Sequence, residues 1–522
     1  MRRWAWIAWL LIASLSWAAC TGPAAGAARV ARILAGAPTQ LDPALQGDAG
    51  SAAVTAQLFE SLTTFDADRQ TRPALAESWE ILDGGTRIVF HLRRGLTFSD
   101  GSPLDGSDVV RSWMRLIDPK RPSPLSSLMM VVAGASDWVT GASTDRASVG
   151  LTSDDSLAEI TVRLTRPSAE FVDVVASPTF AVVPRTIDDG AQSLLAGPNF
   201  VGSGGYVLAE QTASKMTLHA NPHYWAGPPA IATIELIGDL GGKSQVEVFE
   251  AGGLDYAAIG EYDASWIAYD KTLGPQLLKV PSLSTEYYGF DVRQKPFDDV
   301  RVRQAFGMAI DWRRIAALGS TSGADAVATS MVPPGIPGRS DTDFVPKHDP
   351  AAARALLAEA GYPGGVGFPI VTMMTGGGAA DRAVLADVKR ELGITLSYET
   401  MGFGTYFDKL HSDPPAMWSL TWSADYPGRN DFLGILLGTG SSNDYSHYSS
   451  TDFDAAIAAA GAATDHAGAS AAYDAAERIV QRDVPVVPFS YGSGWALSRS
   501  GLLGAGQNGL GILRMAGLAW AD

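Results

Sequence analysis

Cysteine is all but missing: Cys20 stands alone in 522 residues, which excludes an internal disulfide. Basic residues are in deficit. With 39 Lys and Arg against 56 Asp and Glu, the chain carries a net charge of −17. That sign argues against nucleic acid as a partner, because phosphates need a basic footprint. The acids never gather into a tail, so the excess is spread over a solvated surface. Long apolar runs are also missing: beyond the first twenty residues no stretch reaches 18 uncharged apolar residues, so nothing later spans a bilayer. Catalytic signatures are absent in turn. The seven histidines hold no His-Glu-x-x-His, and Pro222 between His219 and His223 breaks a helical metal pair. Gly202-Ser-Gly-Gly205 lacks the Lys-Ser/Thr of a phosphate-binding loop, and Gly492-Ser493-Gly494 is a short loop rather than a nucleophile elbow. A glycosidase-like carboxylate pair stays open, since its separation is not legible in sequence. No cofactor is implied.

What is present begins with a targeting segment. Arg2 and Arg3 precede an apolar stretch from Trp4 to Leu15, and Ser16-Trp17-Ala18-Ala19 leads into Cys20. This resembles a bacterial lipoprotein signal over residues 1–20, with Cys20 as the lipid-bearing residue. Trp17 departs from the usual Leu-like residue, and cleavage after an Ala-x-Ala-like end is the competing route. Residues 21–29 read as a short tether. The length suggests two or three domains. Helical runs at 349–361 and 468–483 alternate with short strands at 369–374 and 394–399, which is α/β patterning. Val54 to Leu62 has helical spacing, with Leu58, Phe59 and Leu62 on one face. Asp83-Gly84-Gly85 marks a hairpin before the alternating strand 86–92, and a further helix is capped near Asp105 to Ser107.

One late stretch stands out: Trp418-Ser-Leu-Thr-Trp422-Ser-Ala-Asp425-Tyr426-Pro. Alternating apolar and small residues read as a strand, broken by Tyr426-Pro427-Gly428. Asp425 then sits beside indoles at a strand mouth. It either caps the next element or captures a cationic ligand head.

Pro73-Ala-Leu-Ala-Glu-Ser-Trp79, His91-Leu-Arg-Arg-Gly95, Phe98-Ser-Asp-Gly101 and Asp108-Val-Val-Arg-Ser-Trp113 occur in that order. With Gly202-Ser-Gly-Gly205-Tyr206, Asn221-Pro222, Ala251-Gly-Gly-Leu-Asp255-Tyr256, Pro296-Phe297 and His348-Asp-Pro350, they resemble the family 5 extracellular solute-binding proteins of ABC importers. Ser123-Pro124, the Trp422–Tyr426 stretch and His447-Tyr448 are most similar to the oligopeptide-binding lipoproteins.

The resemblance implies an α/β, two-lobed, type II periplasmic-binding-protein-like fold with a third small inserted domain. Lobe I would cover 30–60, 185–285 and 490–522, the insert 61–184 and lobe II 286–489. It implies a non-enzymatic monomer, lipid-anchored at the outer face of the cell membrane, that captures short peptides and delivers them to permease subunits. Asp425 would pair with the peptide α-ammonium. The backbone at Thr421, Trp422 and Ser423 and at Gly47, Asp48 and Ala49 would bond the peptide main chain. Trp422 and Tyr491 would wall side-chain pockets, with core packing the alternative for both. Leu125 replaces an aromatic and Ser419 an arginine, and Arg429 either supplies a cation nearby or, as its turn setting favours, is an exposed turn residue. An oligosaccharide receptor stacking sugars on Trp418, Trp422 and Trp495 is the alternative within the class, and a secreted hydrolase the alternative outside it.

Overall fold

The computed structural model describes residues 29–36, 38–168, 170–189, 194, 196–319, 327–441, 443–463 and 466–521; the leader and Cys20 lie outside them. In chain order the strands that matter here start with β1 (Ala31–Leu34). The inserted sheet follows, with β2 (Ala76–Leu82), β3 (Arg87–Leu92), β4 (Leu151–Asp154) and β5 (Glu159–Arg163). Next come β6 (Tyr206–Gln211), β7 (Lys215–Ala220), β8 (Thr233–Ile237), β9 (Tyr256–Ile259) and β10 (Leu277–Phe290). The last are β11 (Thr372–Met374), β12 (Ser397–Glu399), β13 (Met417–Ser423) and β14 (Val486–Ser498).

Ten of these form one mixed sheet in the order β12-β11-β13-β10-β14-β9-β1-β8-β7-β6. The insert's sheet is separate and antiparallel, ordered β2-β3-β5-β4. Its hairpin turns at Asp83–Gly85 as the sequence predicts, with Gly84 in the left-handed region at φ 64°.

β10 and β14 hold the large sheet together. They run 14 and 13 residues, against a typical strand of about 5–6. Their lower ends pair Leu277–Pro281 with Ser493–Leu497, and their upper ends pair Thr285–Gly289 with Val486–Tyr491. Between them the register slips. There the Leu283 N–H donates to Gly509 O at 2.9 Å, and the Leu283 carbonyl accepts from Ala424 N–H at 2.8 Å. The break therefore turns backbone groups toward two distant segments instead of the neighbouring strand.

Separate apolar cores lie on either side of this break. Ile33, Tyr206, Leu218, Ile234 and Leu513 pack at one end of the sheet, and Phe290, Phe306, Val388 and Met417 at the other. The insert closes on an edge-to-face cluster of Trp113 with Phe90, Phe171 and Phe180, and the Trp113 indole donates to Phe180 O at 2.9 Å.

Three sequence expectations need correction. Gly492-Ser493-Gly494, expected as a short loop, lies inside β14, where Ser493 pairs with Pro281 and Gly494 with Val280. The helix expected from Val54 runs instead from Ala49 to Leu58, because Asp48 caps it by accepting from Ser51 N–H at 2.8 Å. Phe59 and Leu62 are buried but lie beyond its end. Arg429 is not an exposed turn residue. It is 2% exposed and donates to Glu477 at 2.6 Å and Asp474 at 2.8 Å. No helix among the described residues is long and apolar enough to cross a membrane.

Candidate functional site

At the register break the backbone opens onto a cavity of about 350 Å³. Ser282 and Leu283 of β10 form its back. Gly47, Asp48 and Ala49, at the start of helix Ala49–Leu58, form one wall, and Ser423, Ala424 and Asp425, at the end of β13, form the facing one. The insert contributes Leu125, Ser177 and Pro178, and the C-terminal loop contributes Gly509, Leu510, Gly511 and Ile512. Every part of the fold thus meets here.

Asp425 does not cap the next element. The helix Arg429–Phe432 begins after Gly428, and among the described residues nothing hydrogen-bonds the Asp425 carboxylate. Its backbone N–H donates to Asp431 Oδ2 at 3.2 Å, and the same oxygen accepts the Trp422 indole N–H at 3.0 Å. Asp431 is fully buried, and its Oδ1 has no hydrogen-bond partner among the described residues. Desolvation pushes the half-buried Asp425 carboxyl up to about 6. Desolvation also raises Asp431, with the Asp425 charge adding to it. Two acids on one wall, one of them open to the cavity, form a place where a cation relieves an existing cost.

Main-chain groups are available beside it. β13 pairs with β10 along its whole length but with β11 only at Met417 and Trp418. From Ser419 to Ser423 its other edge therefore has no strand partner among the described residues, though the Tyr406 hydroxyl donates to Ser419 O. Such an edge accepts an added extended chain.

Several anticipated residues sit elsewhere. Thr421 is exposed on the free edge but does not line the cavity. The Trp422 indole orients Asp431 and is not a cavity wall. Tyr491 does not reach the cavity; its hydroxyl accepts from Thr329 and Ser330 N–H at 3.0 Å and donates to Ser330 O at 3.1 Å. Asp48 lines the cavity, yet both its oxygens serve Ser51 and Thr39. Burial raises its carboxyl, and these hydrogen bonds outweigh that and hold it below the usual range. Trp418 is 1% exposed, packed edge-on against Tyr287 and Tyr445. No aromatic side chain lines the cavity among the described residues, so the sugar-stacking alternative has no platform.

The sequence reading missed Ser282, Leu283, Ser177 and the loop 509–512. Their one local signal was the glycine spacing from Gly504 to Gly511.

Two sheet halves joined by two long strands, with a cavity where the strands pass from one half to the other, are the arrangement of a two-lobed binding fold. The fold is α/β and two-lobed, of the type II periplasmic-binding-protein kind with a small inserted domain. The chain belongs to the bacterial extracellular solute-binding proteins, family 5, whose model matches residues 70–444. It is 32% identical over 473 residues to the probable deoxycholate-binding periplasmic protein YgiS of Escherichia coli, covering 87% of this chain and 86% of that one. It is 28% identical to the periplasmic oligopeptide-binding protein OppA of Salmonella typhimurium, covering 84% and 82%. Among solved structures, the Escherichia coli murein tripeptide-binding protein MppA superposes with a TM-score of 0.78 at 24% identity, covering 94% and 98%. Haemophilus influenzae OppA in complex with a peptide gives 0.75 at 24%, covering 94% and 99%.

Proposed function

We propose that this chain captures short peptides between its lobes for an ABC importer, pairing the peptide α-ammonium with Asp425. The observation that carries this reading is the Asp425 carboxylate itself: unpaired, half-buried and facing a cavity shared by all parts of the fold. The free edge of β13 at Thr421 to Ser423 and the backbone at Gly47 to Ala49 would bond the peptide main chain. Lobe I is assigned to 30–60, 185–285 and 490–522, the insert to 61–184 and lobe II to 286–489; separate apolar cores support a division into three parts, though Ala181 and Val183 pack with the lobe I core. Ligand bridges the lobes, stabilises the closed form and presents it to the permease. Cys20 carries a lipid that holds the protein at the outer face of the membrane.

A second reading follows from the deoxycholate-named relative. Leu125, Pro178, Leu283, Leu510 and Ile512 give the cavity an apolar lining fit for a steroid face. Asp425 opposes it, because the ligand's anionic head would meet an unpaired carboxylate.

Native mass spectrometry of the protein purified from membranes tests both readings and the anchor. The expected result is a set of bound masses matching short peptides on a chain that starts at Cys20 and carries acyl mass. A single non-peptide mass would contradict the peptide reading, and an unmodified chain would contradict the anchor.

A further inference from the structure

We propose that the cavity selects ligands that bring an ammonium group and no carboxylate: peptides whose carboxyl end is amidated or carried outside by further residues, over free di- and tripeptides. This rests on the peptide reading above and narrows it.

Among the described residues the cavity wall holds two carboxylates, Asp48 and Asp425, and no Lys, Arg or His. The internal positions outside the described residues contain no Lys or Arg. Three cations on neighbouring elements are engaged elsewhere. Arg69 passes Gly509 with its stem, but its Nε donates to Gly335 O at 3.0 Å. Arg429 is buried on Glu477 and Asp474, and Arg514 is held by Glu60 at 3.0 Å.

One feature of the wall would ordinarily favour an anion. The positive end of helix Ala49–Leu58 opens at the cavity, a place that suits a carboxylate. Asp48 already fills that role, accepting from Ser51 N–H at 2.8 Å and from Ser51 Oγ at 2.7 Å. A ligand carboxylate entering here would shed water, meet no cation and face Asp425 with Asp431 behind it. At 350 Å³ the cavity lies near the small end of the usual range of about 300–1,000 Å³, so both ends of a very short peptide fall within it.

Titration calorimetry of the wild-type protein at neutral pH with trialanine, trialanine amide and N-acetyl-trialanine amide tests the inference. The amide is expected to bind about tenfold or more tighter than the free acid, and acetylation to abolish binding. A free acid that binds as tightly as the amide overturns the inference and leaves the peptide reading standing. An N-acetyl amide that binds as well as the amide, or no binding by any of the three, overturns the peptide reading and this inference with it.

Discussion

Asp425 and Asp431 carry the chemistry at the residue scale. Asp425 is raised to about 6 by desolvation, whereas an ordinary aspartate sits near ~3.9. The ligand's ammonium binds the ionised form, so affinity should be fully present above that value and fall as pH drops through it. The loss approaches about tenfold per pH unit below the pKa. Calorimetry of a peptide amide from pH 7.5 to 5 reads this directly, and Asp425→Asn should flatten the profile. A wild-type profile that stays flat would remove Asp425 from the pairing. The Asp425 stretch was legible in sequence because a strand-like run ends at Tyr426-Pro427-Gly428. Its link to Asp431 was not, because it depends on how helix Arg429–Phe432 folds back against Trp422. Nor was the position of Tyr491, whose hydroxyl is claimed by the backbone of Thr329 and Ser330.

The two crossing strands are the decisive pieces at the element scale. Their slip brings Gly492 of β14 against Ser284 of β10 so closely that a Cβ on Gly492 would lie 2.0 Å from Ser284 Oγ. Gly492→Val must turn the Ser284 hydroxyl aside, disturbing its 2.8 Å contact with Ser282 Oγ, and its methyls crowd both serines at the break. The expected cost is about 1–3 kcal/mol of stability, with weaker ligand binding, as overpacking generally gives. Thermal denaturation with and without a peptide measures both, and an unchanged protein would show that the break tolerates movement. Strand existence and type were read well from alternation, as at 86–92. The slip itself was not, since it is fixed by Gly509 and Ala424, which lie far from Leu283 along the chain. The early start of helix Ala49–Leu58 was missed for a local reason: Asp48 caps through Ser51, ahead of the apolar periodicity that suggested Val54.

At the scale of the whole molecule, the parts are joined by buried acids as well as by strands. Glu170 of the insert accepts from the Tyr473 hydroxyl at 2.5 Å and the Tyr426 hydroxyl at 3.3 Å, and desolvation raises it to about 7. Asp444 is raised to about 7 and Asp425 to about 6, chiefly by desolvation. Each keeps a proton in the folded state that the unfolded chain has already lost, so the folded form gains as pH falls from about 7.5 to 5. His447, held below its ordinary value by burial, opposes this with one proton. The empty protein should melt higher at pH 5.5 than at pH 7.5, as calorimetry would show. A lower melting point at pH 5.5 would contradict the burial of these acids. The ordered motifs from Pro73 to Pro350 made the overall architecture legible in the sequence through their resemblance to a known family. The composition of the cavity was not, because its walls come from segments hundreds of residues apart.

The most direct test of the central claim is calorimetric titration of a peptide amide into wild-type and Asp425→Asn protein at pH 7.5. A charge-assisted pair in a closed site is expected to lose about 2–5 kcal/mol on neutralisation, so the variant should bind weakly or not at all while melting no lower than the wild type. Equal affinity in the two proteins would show that the cavity does not hold its ligand through Asp425.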